Sequence, residues 1–161
     1  MSLILNPYSF ISVVPFPNTK STDFDGVDDR VACNYMTELD NVPSFTLSMW
    51  LKFDDPSVTQ RIMGKTYSAV AHISLAILGG EFYPSINNNY GATTDANLVA
   101  GTWYHIGFVY DGSLANANIF KIYVDGVAKT TTATASLPTS LTTATSSFKI
   151  GKFGGALARN I

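Results

Sequence analysis

The chain is short of the side chains from which catalytic and metal centres are usually built. Its 161 residues include one cysteine and two histidines, and Glu38 and Glu81 are its only glutamates. Charge is also scarce: Asp, Glu, Lys and Arg make up 14%, with 10 basic against 12 acidic residues and a formal net charge of -2. No cluster of Lys and Arg occurs anywhere. Nucleic-acid binding needs such a cluster to displace counterions, so a nucleic-acid partner is excluded. An electrostatic membrane anchor is excluded on the same ground. The lone Cys33 cannot form an internal disulfide framework, and a free cysteine in a strand behaves as a small hydrophobe. Long apolar runs are missing too. Leu3-Ile4-Leu5 is cut off by Pro7 and has no basic residues ahead of it, so it fits neither a secretory signal nor a membrane span. No Asn-x-Ser/Thr acceptor is present. No window repeats apolar residues at the three-to-four spacing of an amphipathic helix, and no capping box precedes an apolar run.

What remains is rich in strand formers. Hydrophobic residues account for 46% and aromatics for 12%, and the length suits one domain with a full core. From Phe45 to Phe53 the odd positions are Phe45, Leu47, Met49, Leu51 and Phe53; Thr46, Ser48, Trp50 and Lys52 lie between them. A period of two with one apolar face is the signature of a strand buried on one side. Asp54-Asp55-Pro56 ends it. Strands are also predicted at Val31, over 61–65, over 71–78 with Ile73, Leu75 and Ile77 in phase, at 81–83, over 103–110, over 120–124 and at 148–150. Gly79-Gly80 and Asp125-Gly126 read as hairpin turns, and Asn87-Asn88-Asn89-Tyr90-Gly91 as a polar turn. The strand over 103–110 has large residues on both faces and is expected to be central. Residues 130–147 are almost all Thr, Ser and Ala, read as an exposed strand, a loop and a second strand. Residues 1–20, with Pro7, Pro15 and Pro17, are expected to be an N-terminal arm or edge strand, and 21–161 a single domain. Short strands at regular spacing predict an all-β, two-sheet antiparallel β-sandwich of the jelly-roll kind.

Four segments in this order resemble the laminin-G-like jelly-roll modules of the concanavalin A-like lectin/glucanase superfamily. They are Asp23-Phe24-Asp25-Gly26-Val27-Asp28-Asp29; Phe45-Thr46-Leu47-Ser48-Met49-Trp50-Leu51-Lys52; Gly101-Thr102-Trp103-Tyr104-His105-Ile106 running to Tyr110-Asp111-Gly112; and Lys121-Ile122-Tyr123-Val124-Asp125-Gly126, joined later by Phe148-Lys149-Ile150-Gly151. The resemblance spans roughly residues 21–154. It implies a further, final strand rich in acidic and aromatic residues, which this chain does not show before Ile161. The expectation is that the edge so exposed is covered by the N-terminal arm or by a second copy, which makes homo-oligomerisation through an open sheet edge a candidate property.

The superfamily includes glycoside hydrolases, whose chemistry needs two carboxyl groups about 5–9.5 Å apart. The nearest approach to the Glu-x-Asp-x-x-Glu arrangement of one related group is Glu38-Leu39-Asp40-Asn41-Val42-Pro43, where proline stands in the place of the second glutamate. Glu38 and Glu81 are therefore expected to be solvated loop carboxylates, and the chain not to be an enzyme. His72 and His105 form no metal or triad set. His105 is expected to be a partly buried ring hydrogen-bonded to backbone, and Cys33 has no base near it in sequence.

Two binding sites suggest themselves. Hard cations take carboxylate and carbonyl oxygens, and Asp23, Asp25, Asp28 and Asp29 cluster in one turn. Asp25 and Asp28 are the candidate metal ligands and Ca2+ the candidate cofactor; the resemblance implies such an ion near this opening turn. A carbohydrate site needs exposed aromatics for sugar faces and amides for hydroxyls. Tyr83, Asn87, Asn88, Asn89 and Tyr90 cluster between strands, and Trp50 lies on the outer phase of its own. Trp50, Tyr83, Asn87, Asn88 and Tyr90 are the candidate ligand-binding residues. The expected function is a non-catalytic binding or adhesion module with a glycan or surface protein as partner. The alternative is a structural or assembly component of a viral particle or surface appendage. The expected place of work is extracellular or virion-associated.

Overall fold

A computed structural model describes residues 21–25, 28–67, 70–133 and 136–151. The N-terminal arm and everything after Gly151 lie outside the described residues, and with them the expectations about arm and final strand. In chain order the elements are β1 (Arg30–Ala32), a 3-10 turn (Thr37–Leu39), β2 (Ser44–Lys52), β3 (Gln60–Tyr67), β4 (Val70–Leu78), β5 (Glu81–Ile86), β6 (Asn89–Thr93), β7 (Trp103–Asp111), the single helical turn α1 (Asn116–Ile119), β8 (Phe120–Val124), β9 (Val127–Ala128), β10 (Thr131–Ala133) and β11 (Phe148–Gly151).

The strands form two antiparallel sheets, one of seven in the order β1-β11-β3-β4-β5-β6-β10 and one of four in the order β2-β7-β8-β9. The predicted sandwich is what the structure shows. Its core is drawn from the alternate residues of each strand. Leu75 and Ile77 of β4 and Phe82 and Ile86 of β5 face Ile106, Phe108 and Tyr110 of β7 and Ile122 of β8, all at 0% exposure. Burying one such side chain stabilises the fold by about 1.5–3 kcal/mol. Ring contacts knit the layer: Phe45 meets Phe108 edge-on at 5.3 Å between centroids, and Phe120 lies 5.9 Å from Phe108.

Three two-residue hairpins set the registers. Leu78 pairs with Glu81 across Gly79-Gly80, Ile86 with Asn89 across Asn87-Asn88, and Val124 with Val127 across Asp125-Gly126. All six loop residues have positive φ, from 49° at Asn87 to 83° at Gly80. Both central residues of a type I′ turn need that conformation, which Gly, Asn and Asp tolerate best. The asparagine run is thus a hairpin turn, and β6 grows out of it. On β3 and β4 the pairing slips twice, between Arg61 and Met63 and between Lys65 and Thr66. The second slip leaves His72 as the extra residue of a bulge, a device that re-aims a side chain.

The Thr/Ser-rich segment departs from expectation. Among its described residues only β10 is a strand; 136–147 is a loop. Threonine is compatible with strands, but here Leu137, Leu141 and Ala144 turn inward and are buried. The loop is pinned at both sides: the Tyr110 hydroxyl donates to the Pro138 carbonyl, and the Leu141 N–H donates to Val42 O at 2.9 Å. At Gly112 a Cβ would come within 2.1 Å of the Thr139 carbonyl oxygen, so no other residue lets the loop approach β7 this closely.

Candidate functional site

The inward phase of β2 and β7 leaves the opposite phase on the outer surface of the four-stranded sheet. Trp50 pairs with His105 and Lys52 with Trp103. Trp50 is 61% exposed and Trp103 46%. Because Trp103 precedes His105 by two residues, the indoles are diagonal cross-strand neighbours, about 7–8 Å apart at the backbone. The His105 ring lies against Trp50, 5.3 Å between centroids, and Lys52 Nζ stands 5.7 Å from the centre of the Trp103 ring. On the far side Gly107 pairs with Tyr123, and a Cβ on the glycine would sit 3.5 Å from that of the tyrosine. The missing side chain lets the tyrosine ring lie down over the strand. The result is a shallow patch of two indoles, an imidazole and a phenol, edged by the exposed hydroxyls of Thr46 and Ser48.

The other residues expected at a ligand site lie elsewhere. On β5 Phe82, Pro84 and Ile86 are buried, so Tyr83 projects from the outer face of the seven-stranded sheet, and Tyr90 pairs with Ser85 on that same face. Trp50 belongs to the opposite surface of the sandwich. The structure does not bring the five candidates together. Asn87 and Asn88 are the hairpin turn itself. The Asn87 side-chain oxygen accepts from Thr142 Oγ1 at 3.1 Å, and that hydroxyl also meets His72 Nδ1 at 2.7 Å. Trp103 and His105 were missed beside Trp50 because both phases of residues 103–110 are mostly large, which hides the outer one until pairing with β2 assigns it; Tyr123 joins them only through the pairing of β8 with β7.

The aspartate turn is compact. Oxygens of Asp25, Asp28 and Asp29 lie within 4.8 Å of one another, all on exposed residues; Asp23 is exposed and not in that group. The turn is shaped by its own carboxylates: Asp28 N–H donates to Asp25 Oδ1 at 3.2 Å and Asp25 N–H to Asp29 Oδ2 at 3.0 Å. It packs against the end of β11, where a Cβ on Gly151 would come within 2.7 Å of the Asp29 carbonyl oxygen. Three carboxylates converging from one loop are a donor set that fits a hard cation.

A polar cluster that no sequence pattern indicated closes one end of the sandwich. Lys65 is buried on β3, and its ammonium donates to Asp40 Oδ1 at 2.6 Å and to the Met36 carbonyl at 3.2 Å. The Ala144 N–H donates to the same Asp40 oxygen at 3.3 Å. Those bonds, the Lys65 one foremost, hold the Asp40 carboxyl below the usual aspartate range. Burial, with Lys65 nearby, lowers the His72 imidazole below its ordinary value. Lys65, Asp40, His72, Asn87 and Thr142 come from five separate segments, and their polar atoms are spent on tying those segments together.

Glu81 differs from the solvated carboxylate expected of it. It is half-buried and accepts from Thr93 Oγ1 and from the Ala96 N–H at 3.1 Å, clamping the segment after β6 to the start of β5. Glu38 is exposed in the 3-10 turn beside Asp40, whose partner Lys65 pairs with Ile73, whereas Glu81 pairs with Leu78 five residues along β4. Five residues of strand span about 17 Å, so the level of Asp40 and the level of Glu81 lie further apart along the sheet than the spacing that glycoside hydrolysis uses. Cys33 is half-buried against the core.

A family model of the laminin G type, described as the concanavalin A-like lectin/glucanases superfamily, matches residues 25–157. The chain belongs to that superfamily. The four resembling segments fall on the aspartate turn, β2, β7 and β8 with β11, the parts that build both sheets. A concanavalin A-like, laminin G-type domain fits a binding module in general terms, and such domains are commonly extracellular. No curated protein matches the chain. Among the described residues no helix is long and apolar enough to cross a membrane.

Proposed function

We propose that this chain is a non-catalytic binding module of the extracellular space and that its ligand is a glycan. In this reading the sugar stacks on Trp50 and Trp103. The observation that carries it is the pair of exposed indoles held diagonally on a rigid sheet face. Sugars present flat apolar faces that aromatic rings cover, and fixed hydroxyls and amines around the rings select among them. Strand-borne side chains lose little freedom on binding, which keeps the entropic cost of association low. Lys52 and Lys121, which flank the patch on β2 and β8, favour a glycan bearing carboxylate or sulfate groups. Separation of Glu38 from Glu81 supports binding over hydrolysis for that pair.

A glycan array read with the full chain tests this, with Trp50→Ala and Trp103→Ala as controls. Binding of one glycan class, lost in both variants, is the expected result. No binding to any sugar, or binding that survives both substitutions, would set the reading aside.

The aspartate turn is the place in this module where Ca2+ would be held, by Asp25, Asp28 and Asp29; the ion would supply rigidity to the β1–β11 corner. Calcium at a hundredfold its dissociation constant should stabilise the fold by about 2.7 kcal/mol. Thermal unfolding in calcium and in chelator measures this, and Asp28→Asn should erase most of the difference.

A further inference from the structure

Among the described residues four strands end a sheet, and three of them are short. β1 and β10 have three residues each and β9 has two. Short edges are one way in which proteins avoid unwanted strand pairing. The fourth, β2, has nine residues, in unbroken register with β7 from Ser44 to Lys52. It has no proline and no bulge, and its one charge is at its last position. Every second residue of such a strand turns its N–H and C=O toward the open side. Among the described residues no strand receives them.

The side chains show the same vacancy. Phe45, Leu47, Met49 and Leu51 point inward, yet each is only half-buried. Their register partners on β7 are Tyr110, Phe108, Ile106 and Tyr104, all buried. Across the gap, Val31 pairs with Ile150 on the inner phase of β11, and Val31 is still 43% exposed. The sheets explain why. β8 and β10 touch at one side of the sandwich, so the surplus of seven strands over four falls beyond β2. Each surplus strand adds about 4.8 Å of width beyond β2.

We propose that residues 8–14 of this same chain add a strand to the open edge of β2. Tyr8-Ser9-Phe10-Ile11-Ser12-Val13-Val14 lies between Pro7 and Pro15, outside the described residues, and the chain carries no charge before Lys20. Seven residues of strand extend about 23 Å, against about 30 Å for β2. Tyr, Phe, Ile and Val favour a pleated, half-buried surface, and flanking prolines stop the pairing at both ends. The described chain resumes at Ser21 and leads into β1, on the same side of the molecule as the gap. The intervening residues 15–20 can span about 20 Å, enough to cross the roughly 10 Å between sheets. A short tether gives an effective concentration in the millimolar range. A second copy pairing β2 to β2 would instead bring two overhanging seven-stranded sheets into one layer.

Amide exchange on the full chain, followed residue by residue, tests this. The outward-facing amides of β2 should exchange as slowly as those of β7 in a sample that light scattering shows to be monomeric. Successive N–H groups of an edge strand point to opposite sides. One of Ile11→Pro and Ser12→Pro should therefore speed exchange in β2 at least tenfold, with β7 unchanged, while the other has little effect. Fast exchange of the outward β2 amides in the unmodified chain would overturn the proposal. So would protection that appears only as the chain dimerises, which would assign the edge to a second copy. Neither overturning result depends on a variant that folds.

Discussion

β2 and β7 are neighbours in one sheet, nine residues each, with the same inward alternation of large apolar side chains. Yet the inner row of β7 is sealed and that of β2 is half open. Composition does not account for it: Phe45, Leu47, Met49 and Leu51 are as apolar as Tyr104, Ile106, Phe108 and Tyr110. Position does. β7 has a strand on each side and the seven-stranded sheet beneath it, whereas β2 has one described neighbour. The alternation of a strand tells which face points inward; how much that face contributes depends on what lies beside it.

The largest effect should come from truncating the sealed row. Phe108 touches Phe45 and Phe120 and has no exposed surface. Phe108→Ala should cost about 3–5 kcal/mol, read from the shift in urea midpoint at constant m-value. Close behind comes the buried ion pair, whose side chains are 2% exposed at Lys65 and 15% at Asp40. Asp40→Ala strands an ammonium in the interior and should cost about 3–5 kcal/mol. Replacing Lys65 by Met in that background should restore much of the loss, and a double-mutant cycle measures the restored part. Additive losses from the two substitutions would mean that the pair does not act as a pair.

Met49→Ala, in the half-open row, should cost only about 1–2 kcal/mol, since part of the side chain already meets water. A cost as large as that of Phe108→Ala would show that something covers β2 in solution, and so would favour the strand proposed there.

What the sequence made legible follows the same division. The alternation from Phe45 to Phe53, the Gly79-Gly80 and Asp125-Gly126 turns and the centrality of residues 103–110 are local signals, and they located the sheets. The aspartate turn was equally visible, because Asp25, Asp28 and Asp29 are close in the chain. Three things were not. Residues 130–147 read as strand, loop and strand by composition, yet contacts to Val42, Tyr110 and Gly112 dictate the path of 136–147 as a loop. The joining of Lys65 to Asp40, and of His72 to Thr142 and Asn87, is made by the fold across distant segments. The division of Trp50 from Tyr83 and Tyr90 onto opposite surfaces depends on which sheet each strand joins, and alternation within a strand is silent on that.

A smaller effect should appear with pH. The His72 imidazole is held below its ordinary value of 6.5, first by burial and then by Lys65. As pH falls through 6.5 the unfolded chain takes up a proton that the folded chain refuses, so stability should decline from there down to the lower folded value. Asp40 has the opposite displacement in charge terms but the same direction in pH. Its carboxyl is held below 3.8 by the Lys65 hydrogen bond, so the stability it lends is present above 3.8 and is lost as pH falls further. Urea midpoints between pH 8 and 3 should therefore drop in two stages. His72→Gln should flatten the upper one and leave the lower.

The smallest effect on stability should come from the outer face of the same two strands. Trp50 leans on His105, and Lys52 on Trp103, cross-strand contacts worth about 0.2–1 kcal/mol each. Trp50→Ala should lower stability by no more than about 1 kcal/mol while removing glycan binding. This is where inner and outer rows separate most clearly. If Trp50→Ala cost as much as Met49→Ala or more, with glycan binding intact, the indole would be a structural cover for β7. The exposed patch would then owe its aromatics to cross-strand packing, and the case for a sugar-binding surface on this sheet would be gone.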